Sequence, residues 1–287
     1  MPLLVIRARS FDPHSPDLLA VNAPLVADWL VRFLREEVVR RRGMKSAVLA
    51  ISGGVDSAVV AYLCARAFGP ENVFVFRMPY KLSSQDSINH ANLVIEDLKI
   101  NARTVDITPM VDGYIQTHEQ EISPARIGNV CARCRMIVLF DQSAKLGGLP
   151  IGTGNKSERL FGYYTWHADD SPPINPLGDL FKTQVWALAR ELGVPREIVD
   201  KPASADLIKG QTDENDFGIT YLRADRILHL MTLGYSRQKL ISMGFEKSDV
   251  DLVWKRVDGT HWKRRLPTVA MLSSNAIGEY YLRPVDF

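Results

Sequence analysis

Between Ser52 and Ser57 the chain reads SGGVDS, after an apolar run at 47–51 and just before apolar residues resume. A buried strand that turns into a helix at two glycines leaves several backbone N–H groups uncovered at a helix N-terminus, and such a place binds anions. Gly53 and Gly54 allow positive φ and a close approach by phosphate, while the hydroxyls of Ser52 and Ser57 add donors. From the glycine pair alone, an ordinary strand-to-helix turn fits equally well. Asp56 adds a second signal. The common phosphate loop carries a lysine to balance charge, whereas a carboxylate beside phosphates repels them unless a divalent cation lies between, so Asp56 implies Mg2+. As simple first-turn acidity it would be worth about 0.3–1 kcal/mol.

Two further charged residues stand where such chemistry would need them. The string GTGNKSE (152–158) follows a strand, which puts Thr153 and Glu158 at a strand's carboxyl end, where open α/β sheets bind ligands. It is not a Walker loop, because Asn155 replaces the glycine that should precede the lysine. Lys182 falls in the first turn of a helix, where the dipole disfavours a cation and a bound phosphate would justify one. Cys131 and Cys134 form C-x-x-C inside a helical run, with no second pair and no redox-motif context, and Cys64 reads as core. His90 and His229 read as helix-face residues outside any metal cluster, and G-x-S-x-G is absent.

The elements that would position these residues alternate between strand-length apolar runs and helical patterns. That is the signature of a doubly wound, mostly parallel α/β sheet with helices on both faces. Strands are expected at 47–51, 73–78, 103–107 and 149–153, and helices at 86–98, 112–121, 127–146 and 182–192. Ahead of the first strand, Asn22 can cap a helix that has Pro24 in its first turn and Val26, Trp29, Leu30, Phe33 and Val38 near one face. Arg40, Arg41 and Arg42 suit that helix's C-terminal end without invoking nucleic acid. The segment 201–218 reads as a long surface loop, followed by short helical stretches over 218–287 that form a small C-terminal helical appendage.

Composition bounds the partners. The 287 residues carry a formal net charge of +2, too balanced for an obligate nucleic-acid binder. No run approaches the roughly 20 apolar residues of a membrane span, and the start is too weakly apolar for a signal peptide. With only three cysteines in the chain, a reducing, cytoplasmic setting is expected.

SGGVDS resembles the loop of the ATP pyrophosphatases, the PP-loop superfamily with its adenine nucleotide alpha hydrolase-like fold. The strings RMPY (77–80), ARCRM (132–136), GTGNKSE, GYYT (162–165), NPLGD (175–179), KTQV (182–185), KPASADL (201–207), GQTDE (210–214) and KRRLP (263–267) follow in order. Together they resemble ammonia-dependent NAD synthetase. The resemblance implies ATP as co-substrate, with Ala50, Ile51, Ser52, Gly53, Gly54, Val55, Asp56, Ser57, Arg77, Thr153, Lys182 and Ser204 binding it. Asp56, Glu158 and Lys182 would be catalytic, with Asp56 and Glu158 on Mg2+. It further implies that Arg133, Trp166, Asp169, Pro173, Trp262 and Lys263 meet deamido-NAD, that ammonia is the nitrogen source, and that the protein is a homodimer. Residues 1–20 would be an N-terminal extension to one synthetase domain over 21–287.

The chain departs from the family pattern at one turn. A lysine usual there is Trp166, a glycine-rich turn is ADDSPP (168–173), and Trp262 stands where a histidine usually precedes the Lys263 match. Asp169 keeps the first acidic place and Pro173 takes the second. These changes leave a different carboxylate acceptor as one alternative function. The C-x-x-C leaves a sulfur-inserting, tRNA-modifying relative as another, and a nucleotide-binding sensor without the metal clamp is a third.

Overall fold

The computed structural model describes residues 12–119, 121–204, 212–265, 268–270 and 272. Among them β1 (Ala47–Ala50), β2 (Val73–Arg77), β3 (Asn101–Thr104) and β4 (Leu149–Pro150) form one parallel sheet in the order β3-β2-β1-β4. The chain winds outward from β1 to β3 and then returns to lay β4 on the other side of β1. Order reverses between β1 and β4, and a crevice opens there at the carboxyl ends of the strands.

The helices are α1 (Ala23–Leu34), α2 (Val55–Phe68), α3 (Gln85–Leu98), α4 (Thr108–His118), α5 (Pro124–Leu146) and α6 (Lys156–Phe161). They continue with α7 (Lys182–Leu192), α8 (Arg196–Val199), α9 (Asp213–Phe217), α10 (Tyr221–Thr232), α11 (Arg237–Ser242) and α12 (Lys247–Gly259). Strand side chains alternate between faces. Ala47 and Leu49 of β1 pack with α1, α2, α3 and α7, while Val48 packs with α4 and α5 on the opposite face. This is the doubly wound α/β arrangement expected from the sequence.

Local differences have local causes. β3 sits two residues ahead of its expected start and is exposed along its whole length, so its edge position leaves no alternation to read. α4 begins at Thr108 because Pro109 is tolerated in a first turn, and Asp106 Oδ1 accepts from Thr108 N at 2.8 Å. α1 is capped by Asn22 and runs into a wider π-helical turn, Arg35–Arg40. Arg40, Arg41 and Arg42 pair with Glu36 and Glu37. Val26, Leu30 and Phe33 pack on the core, but Trp29 points outward at 69 % exposure, beside Leu25 at 64 %.

The segment 201–218 is not simply a surface loop. Residues 205–211 lie outside the described ones, but Thr212 caps α9, whose Asp213 and Phe217 are buried. Phe217 belongs to a second hydrophobic cluster with Leu19, Phe161, Phe181 and the inner faces of α10, α11 and α12. Trp186 of α7 packs against both this cluster and the sheet's own, so the C-terminal helices are built onto the elements that carry the site.

Candidate active site

The turn after β1 is shaped by steric necessity. Gly53 has φ +79°, and a Cβ there would lie 2.1 Å from the backbone oxygen of Ser87, because the start of α3 presses on the loop. Ser57 Oγ donates to Gly54 O at 3.0 Å, while Ser52 N donates to Ser57 Oγ at 3.2 Å and Gly54 N to Ser52 Oγ at 3.2 Å. The two hydroxyls expected to reach a phosphate thus also preform the turn that would hold it.

Three charged side chains from three elements converge beneath this turn. Asp56, in the first turn of α2, accepts from Lys182 Nζ through Oδ2 and from Asn155 Nδ2 at 3.0 Å through Oδ1. Lys182 Nζ lies 3.8 Å from Glu158 Oε1. Glu158 and Asn155 form the reciprocal cap of α6, in which Glu158 N donates to Asn155 Oδ1 at 2.9 Å and Asn155 N donates to Glu158 Oε2 at 3.2 Å. Lys182 is only 2 % exposed. Burial works against its charge, but Asp56 and Glu158 outweigh that and hold its proton more tightly than usual. Burial first, and then the charge of Asp56, push the Glu158 carboxyl well above the ordinary carboxylate range.

Asp213 is a fourth member that the sequence reading missed. It is 4 % exposed and accepts from Tyr221 OH at 2.9 Å, while its Oδ1 has no hydrogen-bond partner among the described residues. The signal was available in TDENDFG, a Thr cap, an acidic first turn and a terminal glycine, which together spell a short helix. Asn155, fully buried, was noted only for what it excluded, yet it joins Asp56 to Glu158.

A cavity of about 570 Å³ runs from this cluster toward the altered turn, a size suited to a nucleotide-class ligand. Of the ATP positions expected from sequence, Ala50, Ser52, Gly54, Val55, Asp56 and Ser57 line it, as do Thr153, Lys182 and Ser204. Ile51 is buried behind the turn, Gly53 faces Ser87, and Arg77 Nη1 donates to Asn92 Oδ1.

The acceptor positions are arranged differently. Asp169 lines the cavity and accepts from Thr165 N at 2.8 Å, and Pro173 is exposed beside the lining Pro172. Arg133 Nη2 donates to Trp166 O at 3.1 Å. Lys263 Nζ donates to Gly162 O at 2.6 Å and Tyr164 O at 2.5 Å, over the Tyr164 ring. Trp166 meets Trp262 edge-on, with ring centroids 5.2 Å apart. Cys131 and Cys134 are buried in α5, where burial pushes both thiols up, and Cys64 is core. Among the described residues, no group of three or more His, Cys, Asp or Glu is arranged to hold a metal by itself. Nor is any helix among them long and apolar enough to cross a membrane.

A switch-point crevice, a glycine turn at a helix N-terminus, and carboxylates paired with a buried lysine define an α/β enzyme that handles a nucleotide's phosphates. The chain belongs to the NAD synthase family, whose model matches residues 26–267. It is 46 % identical over 255 residues to the NH(3)-dependent NAD(+) synthetase of Fusobacterium nucleatum, covering 88 % of this chain and 98 % of that one. In structure it resembles NMN synthetase from Francisella tularensis, with a TM-score of 0.78 and 28 % identity, over 90 % of this chain and all of that one. It also resembles the NH3-dependent NAD synthetase from Campylobacter jejuni, solved with nitrate, with a TM-score of 0.75 and 29 % identity, over 88 % of this chain and all of that one.

Proposed function

We propose that this chain is a ligase that uses ATP to amidate deamido-NAD with ammonia, giving NAD, AMP and pyrophosphate. The observation that carries the reading is the Asp56–Lys182–Glu158 cluster beneath the glycine turn, in a cavity also lined by Tyr163, Tyr164, Thr165, Asp169 and Pro172, while Trp166, Arg133, Trp262 and Lys263 lie outside its lining. The N–H groups at the start of α2 receive the departing pyrophosphate, and Lys182 neutralises phosphate charge. The nicotinate carboxylate oxygen attacks the α-phosphate and the bond to the β-phosphate breaks. Ammonia then adds to the adenylated carbonyl, loses a proton, and expels AMP. The protein contributes position and charge, and no covalent bond to the enzyme is needed.

Asp56 and Glu158 would hold Mg2+, which when bound supplies further neutralisation of the phosphates. The donor set fits. Two carboxylates suit a hard cation that keeps several waters and phosphate oxygens, and the buried Asp213 Oδ1, without a hydrogen-bond partner among the described residues, is a further oxygen in the cluster left to be satisfied.

A second reading, with another carboxylate as acceptor, draws support from the Trp166 and 168–173 departures and from the likeness to a protein named NMN synthetase. Sulfur insertion loses ground because both cysteines of the C-x-x-C are buried in a helix. The deciding assay supplies ATP, Mg2+, ammonia and a panel of nicotinate and other carboxylate acceptors. AMP, pyrophosphate and NAD are expected with deamido-NAD, and activity lost to a chelator should return with Mg2+. ADP and phosphate as products would overturn the reading, and AMP release driven only by another acceptor would favour the second.

We also infer a homodimer, a cytoplasmic setting suited to three free, buried thiols, and a single synthetase unit over 21–287 preceded by an extension at 1–20. The outward Leu25 and Trp29 of α1 support a contact there. A stable monomer at micromolar concentration in light scattering would contradict the dimer.

A further inference from the structure

Asp225 lies on α10, behind the cavity and with no exposed surface. Its Oδ1 accepts from Ser157 Oγ at 2.5 Å, and its Oδ2 accepts from the backbone N–H of Thr183 at 3.0 Å and from the Thr183 hydroxyl at 2.9 Å. Ser157 Oγ in turn accepts from the backbone N–H of Lys182 at 2.9 Å. Ser157 directly precedes Glu158, and Thr183 directly follows Lys182. One buried carboxylate therefore ties together the first turns of α6 and α7, from which Glu158 and Lys182 reach toward Asp56. Four residues earlier on the same face of α10, Tyr221 has its ring centroid 5.5 Å from Lys182 Nζ and donates to Asp213.

A carboxylate in such a place is costly. Three donors and the N-terminal end of α7 compensate it, yet burial still pushes its carboxyl up to about 6. An apolar side chain would fill the space without that cost, but it could not bridge two helix starts.

We propose that Asp225 is a positioning residue for ATP cleavage, fixing Glu158 relative to Lys182 through Ser157 and Thr183. The inference rests on the function proposed above. An asparagine cannot reproduce the clamp, because it offers one acceptor oxygen where three donors wait. With that oxygen on the two Thr183 donors, its NH2 faces Ser157 Oγ as a donor, so the Ser157 hydroxyl loses the oxygen it donates to and must turn its proton elsewhere.

The test measures AMP release by wild type, Asp225→Asn and Ser157→Ala, each alone and in a Lys182→Ala background, with thermal melting of every variant. Wild-type products report on the proposed function by themselves. If another acceptor than deamido-NAD drives AMP release, the variants are compared with that acceptor. Asp225→Asn should lower kcat about 10–100-fold, the scale of a roughly 1 Å misplacement, with KM for ATP changed less than about 3-fold and no fall in thermal midpoint at pH 7.5. In the Lys182→Ala background the same change should cost less than about 3-fold, since residues acting as one unit are not additive. Ser157→Ala should show the same pattern at smaller amplitude, and it carries the test if Asp225→Asn does not fold. Unchanged kcat in the folded variants, a full penalty repeated in the Lys182→Ala background, or a kcat loss that only tracks loss of folded protein would overturn the inference.

Discussion

At the glycine-turn end of the cavity, charged side chains meet one another: Lys182 lies between Asp56 and Glu158, with Asn155 bridging the two carboxylates. At the 162–173 end they meet the backbone instead. Arg133 bonds Trp166 O, Lys263 bonds the carbonyls of Gly162 and Tyr164, and Asp169 accepts from Thr165 N. The first end is a prepaired electrostatic device, ready for phosphate charge and sensitive to any lost member. The second is a turn braced by Arg133 and Lys263 from outside it, in which Tyr163, Tyr164, Asp169 and Pro172 set the shape offered to an acceptor.

If that contrast holds, the largest effect belongs to the first end. Asp56→Ala should lower the rate of AMP formation on the order of 10²–10³-fold, the scale on which one preorganised electrostatic group acts, with the fold retained by circular dichroism. A rate within a few fold of wild type would remove the contrast, because it would show the cluster to be structural packing alone.

Gly53→Ala tests the same end through the backbone. Its new methyl group would press on a backbone oxygen at 2.1 Å, in a conformation of positive φ that side chains resist. A loss on the order of 1–3 kcal/mol in urea unfolding is expected, with weaker ATP affinity. Unaltered stability and affinity would mean that the loop moves aside from α3 at no cost.

The contrast also accounts for what the sequence revealed. SGGVDS can be read because its chemistry is local: a strand end, two glycines and a helix start within a few residues. Glu158 and Lys182 could be placed at a strand end and a helix start, and the resemblance put Glu158 with Asp56 on Mg2+ and Lys182 on ATP, but the contacts of Lys182 with both carboxylates are tertiary and could not be read from the sequence. The short helix that carries Asp213 was legible in TDENDFG, but the burial of its carboxylate depends on Tyr221 and the second hydrophobic cluster, which lie beyond it in sequence. Asp225 sits on a helix far along the chain, and nothing near it in sequence announces Ser157 or Thr183. At the second end residue types were visible but partners were not, so Arg133 and Lys263 read as ligand cations although both bond carbonyls here.

A smaller effect should come from the second end. Trp166→Ala removes one ring of the edge-on pair with Trp262, an interaction worth about 0.5–1.5 kcal/mol beyond burial. KM for deamido-NAD should rise about 2–10-fold on that scale, while KM for ATP stays as it was. If both constants rose together, the two ends would be coupled parts of one device and the contrast would fail.

The smallest expected effect separates the ends by pH. Asp225 has an ordinary value of 3.8, pushed up to about 6 by burial. Between those values the folded chain keeps a proton that the unfolded chain has released, so this group's contribution to stability is fully present below about 4 and is lost as pH rises to about 6. Asp225→Asn removes that loss. Glu158 and Asp213, also pushed up, remain in both proteins and cancel in the difference. The thermal midpoint of Asp225→Asn minus that of wild type should therefore grow more positive from pH 4 to pH 6, by a few °C at about 2–4 °C per kcal/mol for a chain of this size, and then level off. Asp169, at the other end of the cavity, is likewise pushed up to about 6 by burial, so the same difference for Trp166→Ala should move across that window only as far as the lost ring exposes Asp169. A flat line for Asp225→Asn would show that its three donors fully offset burial and that the cavity's charged end stores no proton-linked strain at this position.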